Sequence, residues 1–511
     1  MSTAEVHDVI VVGGGPAGSV MAWSLARRGV RVAIVERASF PREKVCGDFV
    51  EPGGLRILEA MQCRRVLDDS SRLPITCTRV FIRSRVAYRG EIPYYEEKHG
   101  LPPLGYIVPR HELDTHLLDR ARAASATVYE GCAATEIRRE EGFVRVGVRS
   151  GRRHFTLSSR LVVGADGTES TVARSFGLSR TDRRYIAISQ RAYVEGVSVE
   201  RGEATIWFDH DLFPGYGWMF PMSGGRANVG VGILSESCHR YGLSVPKLFG
   251  GFIEKLRVRH PGCAQIRVAG KPLGGVVKTY GGIGRNHFDG GVLIGDAGSF
   301  VDPMTGEGIT PGMESALIAS STLAESLERG RFDAAFLSRF ERDFRRYFDP
   351  AMRYLDVCAA LMRNWHFREF WLRAGTRGFA EAAADPVFAR VAGSSSGGLD
   401  LRPLPILGQL WSRIIGYLGE GSAEMFLEFL SGRVNRPSGL IGDLGAWQRG
   451  WWRSLIDDPL WHASWLADVA KKSARLQVTL WTSGNPRVKD LLPIVQNENS
   501  TSGRSPKCVS L

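Results

Sequence analysis

Residues 8–18 read Asp8-Val9-Ile10-Val11-Val12-Gly13-Gly14-Gly15-Pro16-Ala17-Gly18, and the fold turns on how that run is parsed. The apolar run Val9–Val12 has the length of a buried strand, not of a helix. Glycines end it, and a helical pattern follows from Ser19 to Arg28. Val30-Arg31-Val32-Ala33-Ile34-Val35 is a second strand-like run, closed by Glu36. Strand, glycine turn, helix, strand and acid at this spacing predict a unit that binds a dinucleotide. Gly13 permits the tight turn, Gly15 lets the backbone approach a pyrophosphate, and Gly18 lets helix and strand pack closely. The helix N-terminus then faces the phosphates, and Glu36 is placed to accept both ribose hydroxyls of an adenosine. A purely structural glycine turn is the competing reading; it leaves Glu36 unexplained.

That motif alone does not choose between NAD and FAD, but two later segments do. Leu161-Val162-Val163-Gly164-Ala165-Asp166-Gly167 is another buried strand ending in a tight turn, with Ser170 and Arg174 on a following helix. Gly291-Val292-Leu293-Ile294-Gly295-Asp296-Ala297-Gly298 is a third, leading through Asp302–Ile309 into a helix from about Pro311 to Leu327. Asp296, after Gly295, sets a carboxylate where a ribityl hydroxyl is bound. The backbone amides of Gly306, Gly308 and Ile309 at a helix start suit an electron-rich ring carbonyl. A ligand that touches segments so far apart in sequence is long, which fits FAD; NAD does not need the third.

Bulk properties bound the alternatives. A chain of 511 residues with 43% hydrophobic content buries a large core and divides into more than one domain. Its eight cysteines (46, 63, 77, 132, 238, 263, 358 and 508) form no C-x-x-C pair and no zinc-spaced cluster, as expected of reduced thiols in the cytoplasm. The N-terminus runs straight into a strand without the features of a secretory signal. No window approaches the ~18 consecutive apolar residues of a membrane span. The net charge of +12 is dispersed in short pairs, with no nucleic-acid motif. It is read as a solvated basic surface or as one drawn to a membrane, not as a nucleic-acid site.

The trio GGGPAG…E, GADGTESTVAR and GDAGSFVDPMTGEGI resembles flavoproteins of the p-hydroxybenzoate hydroxylase fold. Val108-Pro109-Arg110, with Leu113, Asp114 and Leu117, resembles that superfamily's R-x-x-L-D-x-x-L helix, whose arginine approaches FAD; on that match Arg110 is a cofactor contact. Pro41-Arg42-Glu43-Lys44-Val45-Cys46-Gly47 is similar to the P-x-x-K-x-C-G signature of the geranylgeranyl reductase family. Tyr216-Gly217-Trp218-Met219-Phe220-Pro221 is similar to its Y-x-W-x-F-P segment. The resemblance spans approximately residues 5–345. Related flavin-dependent halogenases carry G-E-S in place of C-G-D and W-x-W-x-I-P, which counts against halogenation. The residues expected to contact FAD are therefore Gly13, Gly15, Gly18, Glu36, Arg37, Lys44, Cys46, Gly47, Arg110, Asp166, Gly167, Gly295, Asp296, Gly306, Gly308 and Ile309.

Tyr216, Trp218 and Phe220 alternate, so on a strand they share one face. That face is either a flat wall for an apolar substrate or ordinary sheet core. The resemblance implies an FAD-dependent reductase that saturates carbon–carbon double bonds of an isoprenoid or other lipophilic substrate by hydride transfer from reduced flavin. Cys46 and Tyr216 are candidates for proton delivery or substrate positioning, with Trp218 in the wall. No second G-x-G-x-x-G is present, so NADPH, NADH or a reduced electron-transfer partner protein is expected to supply electrons. The alternatives are a monooxygenase or halogenase tailoring a natural product, and an electron-transfer flavoprotein-type quinone reductase.

The expected architecture is α/β: a Rossmann-type FAD-binding domain (1–75, 105–178 and 268–345), an antiparallel β-sheet substrate domain (76–104 and 179–267) and a C-terminal helical extension (346–495). The extension holds Trp365, Trp371, Trp411, Trp447, Trp451, Trp452, Trp461, Trp465 and Trp481, and a joint at Gly393–Gly398. Tryptophan beside arginine there suits either a helical cap over the substrate pocket or peripheral association with a membrane. The polar tail 496–511 is expected to be disordered, and the match of its last residues, from Cys508, to a prenylation signal is read as coincidence.

Overall fold

The computed structural model describes residues 6–63, 72–91, 104–198, 202–384 and 450–482. The expected joint at Gly393–Gly398, Trp411, Trp447 and the tail with Cys508 lie outside the described residues. The longer helices are α1 (Pro16–Ala26), α2 (Pro52–Ala60), α3 (Arg110–Ala123), α4 (Val245–Arg259), α5 (Ile309–Arg329), α6 (Ala334–Met362), α7 (Arg368–Ala384) and α8 (Pro459–Thr482).

Val6–Val12 lies at the centre of a largely parallel sheet, flanked by Val32–Val35 and by Arg153–Gly164. Thr127–Tyr129 and Gly291–Leu293 extend it on either side. Register is what matters for the site: Val12 pairs with both Val35 and Gly164, and Gly164 pairs with Leu293. The carboxyl ends of strands distant in sequence therefore finish side by side, and the turn after each faces one crevice, the usual ligand position of such sheets. Helix α1 is buried along nearly its whole length and packs between this sheet and α5, where the Ser24 and Ser320 hydroxyls hydrogen-bond at 2.8 Å. A serine pair in that contact needs no bulky side chain and satisfies both hydroxyls.

The second sheet runs in the order Arg267–Lys278, Ile186–Glu195, Arg226–Leu234, Tyr216–Met222, Glu203–Phe208, Cys77–Ile82, Arg85–Glu91. All its pairings are antiparallel except Glu203–Phe208 with Cys77–Ile82. It extends past the boundary expected at residue 267, because Arg267–Lys278 pairs with Ile186–Glu195. The sequence RVAGKPLGGVVK hides this strand: its glycines and its proline break the alternation by which strands are read. One face packs against α4, whose Phe249, Phe252, Ile253 and Leu256 recur at helical spacing and meet Met219, Val229 and Val231. Burying each such side chain stabilises the fold by about 1.5–3 kcal/mol. Gly217 belongs to this face, where a side chain would collide with the Phe252 ring. The opposite face turns Tyr216, Trp218 and Phe220 toward the crevice.

The helical extension closes over that arrangement. Helix α8 lies along α6, with the Trp465 indole N–H donating to the Ala360 carbonyl at 2.8 Å. Trp371 on α7 packs on Phe208 and Phe213 at centroid distances of 5.1 and 6.2 Å. Part of the tryptophan set is thus cap core, while Trp452 and Trp481 stand 64% and 79% exposed. Among the described residues, no helix is long and apolar enough to cross a membrane. Those residues form no cluster able to hold a metal, and the seven cysteines among them are free thiols.

Candidate functional site

One continuous cavity of ≈ 690 Å³ runs from the turn after Val12, past Cys46, to the end of α6. Every residue expected to contact FAD lines it except Gly18. Gly18 instead closes the turn: a Cβ there would strike the Gly13 carbonyl oxygen and lie 3.2 Å from the Ala165 Cβ. Gly13 adopts φ +105, and a Cβ would collide with the Ala165 carbonyl.

At the nucleotide end, Glu36 Oε2 accepts from the Gly14 amide at 2.7 Å and Oε1 from the Ala38 amide at 2.9 Å. Both oxygens are thus held in place by backbone amides. Arg37 is exposed at the cavity edge. Arg110 is gripped bidentately by Asp114 at 2.7 and 2.8 Å, one turn along α3. Asp114 also holds Arg42, whose Nη2 lies 3.0 Å away, so one buried carboxylate orients two cations. Arg42 was not singled out in the sequence. Its Nη2 comes 3.5 Å from where a Gly15 Cβ would sit, beside the start of α1, and its Nη1 is buried without a partner. The visible signal was a basic residue inside P-x-x-K-x-C-G; only the fold-back of that loop gives it a role.

Asp166 caps the helix Thr171–Ser175, with Oδ2 accepting from the Thr171 amide at 2.6 Å, while Oδ1 is buried without a partner. Burial pushes the Asp166 and Asp296 carboxyls above the usual range; Lys44 and Arg110 act against this at Asp296. A phosphate-seeking guanidinium and an unpaired carboxylate oxygen are the complements that the pyrophosphate and hydroxyls of FAD require. The donor set fits that cofactor.

Further along, Asp302 Oδ1 holds the following loop through the amides of Met304 and Thr305 at 2.7 and 2.9 Å. Gly306 turns there with φ +71, and Gly308 and Ile309 begin α5. Glu307 caps that helix through the Thr310 amide at 2.8 Å, and burial pushes its carboxyl well above the usual range.

Facing this loop, Tyr216, Trp218 and Phe220 form a continuous wall, with successive centroids 5.9 and 6.3 Å apart. The Tyr216 hydroxyl donates to the Thr305 carbonyl, so its proton is already engaged. Burial raises the Tyr216 pKa further. Gly47 lines the cavity and also touches the wall. A Cβ on it would meet the Phe220 ring at 3.0 Å, so its small size serves contact with the wall. Cys46 lies beside Arg110 and Asp48; burial raises its pKa and Arg110 opposes, leaving a thiol that keeps its proton.

Behind the wall is a network that sequence reading missed. Asn228 accepts from the Trp218 indole at 3.0 Å and donates to the Cys46 carbonyl and to Asp48 Oδ2, each at 2.9 Å. The Tyr193 hydroxyl donates to the same Asp48 oxygen at 2.6 Å. Beyond the wall the cavity turns apolar, lined by Ile206, Leu234, Met304, Ala359 and Met362. The last two come from α6, so the helical extension forms part of the site.

Comparison with known proteins agrees with this geometry. Residues 6–226 match the family model described as FAD binding domain. A digeranylgeranylglycerophospholipid reductase of Methanothermobacter thermautotrophicus is 33% identical over 350 residues, covering 66% of this chain and 83% of that protein. A menaquinone reductase of Mycobacterium tuberculosis is 29% identical over 359 residues, covering 67% and 83%. Among solved structures, a geranylgeranyl bacteriochlorophyll reductase-like protein of Thermoplasma acidophilum superposes with TM-score 0.64 at 22% identity, covering 80% of this chain and 99% of its own. The flavin-dependent halogenase CmlS superposes with TM-score 0.61 at 21% identity, covering 84% and 79%. At those identities the superpositions speak for the fold alone. Fold, cavity and family model together define an FAD-dependent oxidoreductase. The chain belongs to the geranylgeranyl reductase family.

Proposed function

We propose that this enzyme saturates carbon–carbon double bonds in an isoprenoid or similarly long apolar chain. The observation that carries the reading is the change of character along one cavity. A cationic, hydrogen-bonding half suited to FAD passes directly into an apolar half bounded by Tyr216, Trp218, Met304 and Met362. A hydrocarbon chain laid against that wall gains burial and leaves no polar group unpaired. FAD, when bound, supplies the hydride. The chain's own part is to hold the cofactor through Arg42, Glu36 and Asp166, align the alkene on the wall, exclude water and provide a proton at Cys46.

NADPH, NADH or a reduced partner protein is the proposed donor, and the Tyr216–Phe220 wall is the proposed substrate face. A membrane surface is the proposed source of substrate, with exposed Trp452, Ile456, Leu460 and Trp481 as its contacts.

The test is anaerobic incubation of the photoreduced FAD-loaded enzyme with a polyprenyl lipid or a polyprenyl quinone, followed by mass spectrometry. A gain of two hydrogen masses per saturated bond supports the reading. No gain in any polyprenyl substrate, with an oxygenated or halogenated product once oxygen and halide are admitted, overturns it in favour of the tailoring chemistry that shares this fold. Met362→Trp, which fills the apolar end, should shift preference toward shorter chains.

A further inference from the structure

Alkene saturation consumes a proton as well as a hydride, and a side chain lining the cavity is placed to supply it. The Tyr216 hydroxyl is engaged by the Thr305 carbonyl, and the Cys46 thiol has one proton to give before it needs another. Directly behind Cys46 is Asp48. It is 0% exposed, yet it lines the cavity wall and keeps Oδ1 buried without a hydrogen-bond partner. Its backbone is left-handed, φ 62, a conformation uncommon outside glycine. The fold buries this carboxyl with its other oxygen held by Tyr193 and Asn228.

We propose that Asp48 is the acid that keeps the cavity supplied with protons, recharging the Cys46 thiol after it protonates the substrate; this rests on the alkene-reduction reading. In the balanced step the alkene π bond breaks, and a bound reduced flavin would supply the hydride for one new C–H bond, itself being oxidised by two electrons. The Cys46 S–H breaks to form the other. The Asp48 O–H then breaks to restore the thiol, and water reprotonates the carboxylate.

The groups facing Asp48 suit both states. Tyr193 and Asn228 donate to the carboxylate that forms, Arg191 and Arg110 favour it by charge, and Cys46 lies against it. Arg191 is itself tied to Glu43 and the Lys44 carbonyl, so its positive charge is shared. Burial outweighs these groups and raises the carboxyl to about 6, so part of it carries a proton under neutral conditions.

The experiment uses the FAD-loaded full chain and has two arms. In the first, infrared difference spectra are recorded between acidic and alkaline pH for wild type and Asp48→Asn. A carboxyl carbonyl band titrating near pH 6, absent from the variant, is expected. A band absent from wild type, or one titrating in the ordinary carboxylate range, overturns the proposal.

In the second, pre-reduced enzyme is mixed with a polyprenyl substrate. Asp48→Asn should retain FAD and lose about 100-fold in saturation rate, the lower end for a general acid. Tyr193→Phe, which removes one donor to the carboxylate, should move the pH limb upward while keeping the fold. An Asp48→Asn enzyme with the wild-type rate and pH profile overturns the proposal. If wild type saturates no alkene, the functional reading fails, and the infrared arm still decides whether Asp48 is a proton-bearing acid.

Discussion

Replacing Asn228 with alanine tests whether the wall and the Cys46 loop are one unit. Asn228 is 0% exposed and makes three bonds: to the Trp218 indole, the Cys46 carbonyl and Asp48 Oδ2. Alanine leaves the indole N–H and the Cys46 carbonyl buried without those partners, while Asp48 Oδ2 keeps Tyr193. Each orphaned group costs about 1–3 kcal/mol, so the pair and the weakened Asp48 contact together cost about 3–5 kcal/mol. If roughly 400 residues melt together, the unfolding entropy is about 0.8 kcal/mol/K, and Tm should fall by about 4–6 °C. Thermal unfolding followed by circular dichroism, with and without FAD, reads this directly. The loss should persist in the FAD-free protein, because every bond of the network is made between protein groups. A Tm within about 1 °C of wild type would refute the claim that Asn228 ties the wall to the loop.

Three further substitutions follow. Asp468→Ala leaves Arg363, 3% exposed, with Glu236 as its remaining carboxylate, and should cost about 3–5 kcal/mol locally; trypsin should then cut within α8 well before the rest of the chain. Equal trypsin resistance to wild type would show that the Arg363–Asp468 pair does not dock α8. Gly47→Ala sets a methyl 3.0 Å from the Phe220 ring, an overpacking cost of about 1–3 kcal/mol that calorimetry should register. Glu341 accepts from the Asn286 amide and pairs with His287 and Arg345; although burial raises its pKa, these bonds lower it to about 2. Its folded pKa is depressed, so its stabilisation is present above the unfolded value of 4.5 and is lost as pH falls toward 2. Urea titrations of Glu341→Gln should show lower stability than wild type at neutral pH and a flatter loss in that acid window; parallel curves would contradict it.

The βαβ core was legible because its signals are local. Gly13 and Gly18 are required by backbone approach at their own turns, and the three strand-and-turn segments carry the same grammar. The aromatic wall was legible for the same reason, since alternation over Tyr216–Phe220 is a property of one strand. What lay hidden was built from pairs with no local periodicity. Tyr193 reaches Asp48 across 145 residues and Asn228 reaches it across 180. Cys46 stands out in the sequence for its own chemistry, whereas its backbone is held by Asn228, whose sequence context is an unremarkable strand. Arg42 is read from sequence as a loop arginine until Asp114 aims it. The tryptophans divided for a related reason: Trp465 and Trp452 carry the same composition signal, and only packing against α6 buries the first.

The alignment of Val12, Gly164 and Leu293 in one sheet has a bearing on biogenesis. The proposed FAD cradle begins at Gly13 and is not complete until Ile309 has left the ribosome. At about 5–20 residues per second, roughly 15–60 s separate the two ends. Until Arg153–Gly164 emerges, Val6–Val12 lacks one of its two sheet neighbours, and an unpaired apolar edge is prone to mispairing. Cofactor cannot rescue the nascent chain, because the last segment of its cradle does not yet exist. Yield in a heterologous host should therefore respond more to slowed synthesis and chaperone supply than to riboflavin.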